Sequence, residues 1–277
     1  MRHSKGKKIA LHIIMYTFVL IMMIPLLWLV VISFKTNREI LTEPLQLPDV
    51  WSFQNYIDAL QQLDIVKLFS NTIIISVIAV IIQLVITISS SFAISRMSYK
   101  NKKFQNALYS FFLIGLSISP FVLLFPIYRI NYALGVGGKW ALILPYITMG
   151  ISYNTLIFSG FMKGIPRELD EAALIDGANL FQLITRIIVP VIKPAIATVV
   201  IFNLLYFWNE YPFSSIMLKD AADYTLARGI AYFKGTFNVN YAGIAAYSVM
   251  IIIPELIVYA LFQKSIVEGM TAGAVKG

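Results

Sequence analysis

Carboxylates are the side chains in this sequence most able to do chemistry, and their placement decides which kind. Glu168, Asp170, Glu171 and Asp176 crowd one short polar interval beside Arg167, while Glu210 and Glu255 stand inside apolar runs. An ionised carboxyl within a membrane span costs about 3 kcal/mol or more, so by default it faces a cavity or a partner. No catalytic set accompanies these acids. The only histidines are His3 and His12, there is no cysteine, and Gly135-Val136-Gly137-Gly138 lacks the Lys-Ser or Lys-Thr that completes a phosphate loop. A Gly-x-Ser-x-Gly elbow and a kinase set are equally missing. The chemistry on offer is recognition through charge, with no catalytic residue, metal site or cofactor of the chain's own.

The crowded interval predicts a helix. Pro166 suits a first turn, where its missing N–H is no loss, and Gly177 suits the residue just past the end. Ile165, Leu169, Ala172 and Ala173 recur at i, i+4, i+7 and i+8, one face of roughly 16 Å of helix. Arg167, Glu168, Asp170 and Glu171 cover the remainder, with three acids where the helix dipole favours negative charge. Such a helix either offers a handle to another protein or merely reconnects two membrane spans.

The elements around it are membrane spans. Of 277 residues 58% are hydrophobic and 13% charged, and the mean hydropathy of +0.77 lies outside the range of soluble domains. Apolar runs at residues 9–34, 71–95, 107–128, 140–161, 191–217 and 242–262 predict an all-α polytopic membrane protein with six transmembrane helices. The first run is 26 residues long, too long for the apolar part of a signal peptide. Pro120 and Pro126 break the third run and Pro145 the fourth. Ser76, Ser89, Ser90 and Ser91 predict close helix packing in the second. Residues 52–68 predict an amphipathic helix along the membrane surface, with Trp51, Phe53 and Tyr56 as interfacial aromatics.

A net charge of +8 suggests nucleic acid in a soluble protein, but here the distribution points to topology. With the amino terminus inside, fourteen Lys and Arg lie on the cytoplasmic side, Arg96 among them, against eight outside. Both termini and the Glu171 interval then face the cytoplasm. Glu210, beside Trp208 and Asn209, falls near the outer boundary, where an interfacial carboxylate beside an aromatic belt is the plain reading. Glu255, directly after Pro254, sits about 12 Å deep and either lines a pathway or pairs across a subunit interface.

The letters of the crowded interval say more than their periodicity. Glu171-Ala172-Ala173, three residues, Gly177, nine residues, Ile187, one residue, then Val189-Pro190 resembles the EAA loop of binding-protein-dependent ABC importer permeases, with Val189 where Leu is usual. Phe92-Ala93-Ile94-Ser95-Arg96, Phe125-Pro126-Ile127-Tyr128, Leu142-Ile143-Leu144-Pro145 and Trp208-Asn209-Glu210 are similar to maltose-type carbohydrate permeases, and the ending Gly269 to Gly277 resembles the smaller, MalG-like subunit. Asn240-Tyr241-Ala242 departs from that pattern, where an acid, Trp and Gly are common, as does Glu255, usually apolar.

The resemblance implies a type I importer permease of di- or oligosaccharides. Its parts would be a cytoplasmic tail at 1–8, a permease domain at 9–264 with a coupling loop at 163–190, and a second cytoplasmic tail at 265–277. The implied partners are a MalF-like second permease, a dimer of ATP-binding cassette subunits that hold ATP and Mg, an extracytoplasmic sugar-binding protein, membrane lipid and the carbohydrate; nucleic acid is not among them. Arg167, Glu168, Glu171, Ala172, Ala173, Asp176 and Gly177 would meet the ATPase, and Asn209, Glu210 and Glu255 become substrate-pathway candidates. A secondary transporter or channel is the competing reading, and an intramembrane enzyme a third.

Overall fold

The computed structural model describes residues 5–235 and 238–274, with side chains for 11–235 and 238–263. His3 and residues 275–277 of the expected tail lie outside the described residues, as do the side chains of Lys5, Lys7, Lys8 and Lys264. The chain forms two compact units, Met1–Ile65 with Gly229–Leu256, and Val66–Arg228 with Ile257–Gly277.

Helix follows helix. In chain order they are α1 (Lys5–Ile32), α2 (Asn37–Thr42), α3 (Gln54–Gln62), α4 (Ile65–Arg96), α5 (Lys102–Ile114), α6 (Pro120–Ala133), α7 (Trp140–Lys163), α8 (Glu168–Ile175) and α9 (Leu180–Gln182). A π-helical stretch, Leu183–Ile188, leads into α10 (Val189–Val191), α11 (Lys193–Asn209), α12 (Pro212–Met217), α13 (Leu226–Gly229) and α14 (Tyr241–Ala274). Among the described residues four helices are long and apolar enough to cross a membrane, and two bent pairs counted as one span each bring the number to six. This is a multi-pass helical membrane protein, as its composition predicts.

Proline chemistry explains the first of the two bends and the early end of the fifth span. The third span turns by 99° between α5 and α6, because Pro120 forces Ser119 into extended backbone (φ −64°, ψ 129°). The break expected at Pro120 is thus present, whereas Pro126 and Pro145, expected to break the third and fourth runs, lie inside α6 and α7, which continue through them. The fifth span begins at Lys193, not at 191, after a 78° turn from the segment before it. It also stops early, since the missing N–H of Pro212 cannot extend the helix and the chain leaves at Glu210 (φ −74°, ψ 105°). The surface helix expected over 52–68 is the shorter α3, interrupted at Leu63 and Asp64 before α4 begins. At the other end α14 stays helical to Ala274, so no helix break marks residue 265.

In the unit formed by 1–65 and 229–256, α1 is apolar on all sides and exposes large side chains from Leu11 to Val30, the surface of a helix that faces lipid. Beyond it, Phe34 packs on Trp51, Phe53 and Tyr56 with ring centroids 5.2–5.6 Å apart. Thr36 and Glu39 form a capping box on α2, and the second carboxylate oxygen of Glu39 accepts the Asp49 N–H at 2.9 Å. Those amide donors, from Thr36 first and then Asp49, lower the Glu39 pKa to about 2. Asn240 has a structural use: its Oδ1 accepts the Gly243 N–H at 2.8 Å in the first turn of α14.

The other unit holds two apolar cores. One joins Ile75 and Ala79 of α4, Leu142 and Tyr146 of α7, and Phe207 and Phe213 beyond. The second gathers Phe92, Phe158, Met162, Ile165, Ala173, Leu183 and Ile188, so α8 is seated on the bundle through Ala173. Between α4 and α7 the packing is polar and close. Gln83 donates to the Tyr146 carbonyl and Ser91 to that of Thr155, while Gly150 leaves room for the Gln83 amide. Ser91 is buried as close packing requires, whereas Ser89 is exposed.

Candidate functional site

The EAA-like interval folds as a helix with a sharply defined end. Its eight residues span about 12 Å, shorter than expected because Pro166 and Arg167 precede the first full turn. Gly177 takes φ +78°, and the N–H groups of Ala178 and Gly177 close onto the carbonyls of Ala173 and Leu174 at 2.9 and 3.1 Å. That pair of bonds is a Schellman cap, which needs a left-handed residue where Gly177 stands. Glu168, Asp170 and Glu171 occupy the first turn.

The buried face differs from the one periodicity suggests. Ile165 and Ala173 are buried, but Leu169 is 42% exposed and Ala172 is exposed too. Asp170, expected on the outer polar face, points inward instead. The reason is Arg96, whose side chain is only 2% exposed. Its Nε and Nη2 reach one Asp170 oxygen at 2.9 and 2.7 Å, and Nη1 and Nη2 also donate to the carbonyls of Met162, Ile165 and Pro166 at 2.6–3.1 Å. Sequence reasoning counts Arg96 as one more loop cation. No local signal could pair it with a residue so far along the chain. With Asp170 drawn inward, Glu168, Glu171 and Asp176 stay outside, together with Leu174 (59% exposed) and Ile175 (86%).

A second feature is a cavity of about 660 Å³ lined by α6, α7, α11 and α12, with Tyr153, Asn203, Tyr206, Asn209 and Glu210 among its walls. Glu210, read from the sequence as an interfacial carboxylate beside an aromatic belt, is buried within the protein, at 6% exposed. It accepts the Tyr146 hydroxyl at 2.9 Å and the N–H groups of Phe213 and Ser214 at 2.6 and 3.0 Å. Chain departure at Pro212 leaves those amides without helical acceptors, and the carboxylate supplies one. Asn209 is exposed, its amide donating back to the Leu205 carbonyl at 3.1 Å. Asn203 donates to the Asn154 side chain at 3.0 Å. Of the three pathway candidates the structure brings Asn209 and Glu210 to one cavity, while Glu255, half-exposed behind Pro254 in α14, belongs to the other compact unit.

A multi-pass bundle with a short capped helix held outside its spans and an aromatic and amide-lined cavity among them is the anatomy of a membrane transport component. The chain belongs to the family described as binding-protein-dependent transport system inner membrane component, whose model matches residues 85–268. It is 28% identical over 269 residues to a diacetylchitobiose uptake system permease protein of Streptomyces coelicolor, covering 96% of this chain and 88% of that protein. A multiple sugar-binding transport system permease protein of Streptococcus mutans is 32% identical, with 93% of each chain covered. In fold the chain is similar to a bacterial ABC transporter involved in import of the acidic polysaccharide alginate, at TM-score 0.78 and 20% identity over 95% of this chain and 99% of that one.

Proposed function

We propose that this chain is the smaller permease subunit of an ATP-driven importer of di- or oligosaccharides, catalytically inert and coupled through α8 to a pair of ATPase subunits that hold ATP and Mg. The observation that carries this reading is the face of α8: Leu174 and Ile175 exposed beside Glu168, Glu171 and Asp176, on a helix anchored from behind by Asp170 and Ala173. An exposed apolar pair rimmed by acids fits a cleft with basic walls. Arg167, Glu168, Glu171, Ala172 and Asp176 then contact the ATPase, Ala173 seats the helix, and Gly177 fixes where it ends. Residues 163–190 form the coupling loop within a permease domain spanning 9–264, and both termini face the cytoplasm, in line with the excess of basic residues on that side.

The remaining partners are a second permease, an extracytoplasmic sugar-binding protein and the surrounding lipid. Saccharide as cargo is supported by the substrates named for the two relatives. It is also supported by the cavity, where Tyr153 and Tyr206 offer ring faces and Asn209 an amide.

Co-purification with the ATPase, with Glu171→Lys and Gly177→Asp beside the unchanged chain, tests the reading. Both substitutions are expected to abolish ATPase capture and ATP-driven uptake. Uptake that persists in both, or that proceeds with no ATPase present, would favour a secondary transporter and end this account.

A further inference from the structure

Arg96 does something that neither a loop cation nor a docking surface does. It ends α4, covers the carbonyls left open where α7 ends and the chain turns, and pairs with Asp170 of α8. Residues 164–167 are otherwise a natural hinge, four residues that join two helices without being helical themselves. Two of the carbonyls that Arg96 holds, those of Ile165 and Pro166, belong to that hinge.

The arrangement leaves no substitute. Nε and Nη2 both contact Oδ2 of Asp170, and its Oδ1 is buried without a hydrogen-bond partner. Among the described residues Arg96 is the sole basic group paired with that carboxylate, and a buried carboxylate stripped of its partner is driven toward water. Lysine could not replace the arginine, because a compact ammonium cannot serve four acceptors spread around a planar fork.

We propose that Arg96 is a positioning residue that locks the end of α4, the end of α7 and α8 into one rigid lever, so that force applied to α8 reaches the spans without bending at residues 164–167. The proposal rests on the coupling reading above. It adds that the joint behind the docking face, and not the face alone, sets how much transport each ATP yields.

The chain contains no cysteine, so spin labels can be placed cleanly. Labels at Met97→Cys and Leu169→Cys, the second on a half-exposed position of α8 outside the docking face, in the assembled transporter in lipid nanodiscs report the distance between the end of α4 and α8 with and without ATP. The expected result is one narrow distance, the same in both states; with Asp170→Asn added, which keeps the arginine's carbonyl bonds, it broadens and depends on nucleotide. A shift beyond about 5 Å in the labelled chain with Asp170 intact, the scale of a one-turn slip between elements, overturns the proposal. So does an unaltered distribution in Asp170→Asn.

Uptake per ATP hydrolysed gives the second readout. Asp170→Asn and Arg96→Lys should both retain ATPase capture but lose about tenfold in this ratio, toward the upper end of what coupling residues contribute. A ratio within about twofold of the unchanged chain in Asp170→Asn overturns the lever, as does loss of ATPase capture in that variant, since Asp170 would then be acting in docking. Failure of the coupling reading looks different: Glu171→Lys leaves capture and uptake intact, and the label distance then judges the rigid joint by itself.

Discussion

The Tyr146 hydroxyl donates to the Glu210 carboxylate at 2.9 Å while its ring lies flat on Phe207, with centroids 4.2 Å and planes 4° apart. One side chain thus joins the core of α7 to the place where the fifth span stops. Tyr146→Phe keeps the stack and removes one bond to a buried charged acceptor, a loss of about 1–3 kcal/mol. Thermal unfolding in nanodiscs should show the drop, and Glu210→Gln combined with Tyr146→Phe should cost less than the two single changes summed, because they share that bond.

Gly177→Ala isolates a backbone effect. Nothing lies within 4 Å of an added Cβ, so space is not the obstacle. The positive φ is, and holding an L-residue there costs about 1–2 kcal/mol. Weaker ATPase capture is expected from Gly177→Ala, with Gly177→Asn intermediate, since asparagine tolerates this region better. Pull-down at graded salt measures the order, and equal capture by all three would contradict it.

Gly150→Ala tests the opposite case, where space decides. A Cβ there would run into the Gln83 amide, which donates to the Tyr146 carbonyl. Overpacking of this kind costs about 1–3 kcal/mol. Shortening the neighbour in the double variant Gly150→Ala, Gln83→Ala should recover part of the loss in a melting experiment, whereas an additive loss would show that the contact is not the cause.

Acid should loosen the α2 loop in a defined window. Bonds from the Thr36 and Asp49 amides hold the Glu39 pKa at about 2, below its ordinary 4.5. The proton is bound more tightly when the chain is unfolded, so the carboxylate contributes stability in full above pH 4.5 and loses it as pH falls through about 2. Glu39→Gln should therefore be less stable than the unchanged chain at neutral pH, with the gap narrowing across that interval. Trp51 fluorescence during titration follows it.

What the sequence made legible was whatever depends on near neighbours. Pro120 announced a break, Gly177 a helix end, and the run lengths a membrane bundle, whereas the break at Pro212 lay unread inside the run at 191–217. Bend angles were not legible, because packing around the break sets them. The burial of Glu210 could not be read by counting residues, since Tyr146 sits 64 positions away. Periodicity nominated Leu169 and Ala172 for the inner face of α8, yet the attraction of Arg96 for Asp170, across 74 positions, turned the helix. A long-range ion pair outweighed a local pattern.

The π-helical stretch Leu183–Ile188 carries its own consequence. A wide turn holds one residue more than regular winding needs. Removing a single residue there would let the coil tighten to regular winding, which keeps the flanking segments in phase. Regular winding at the present length would instead put Leu183 and Ile188 onto different sides of the helix. The apolar anchors Leu183 and Ile188, both in the core that holds Ala173, could not then be satisfied together. The wide turn that takes up one supernumerary amino acid is thus what lets both anchors reach the core under α8.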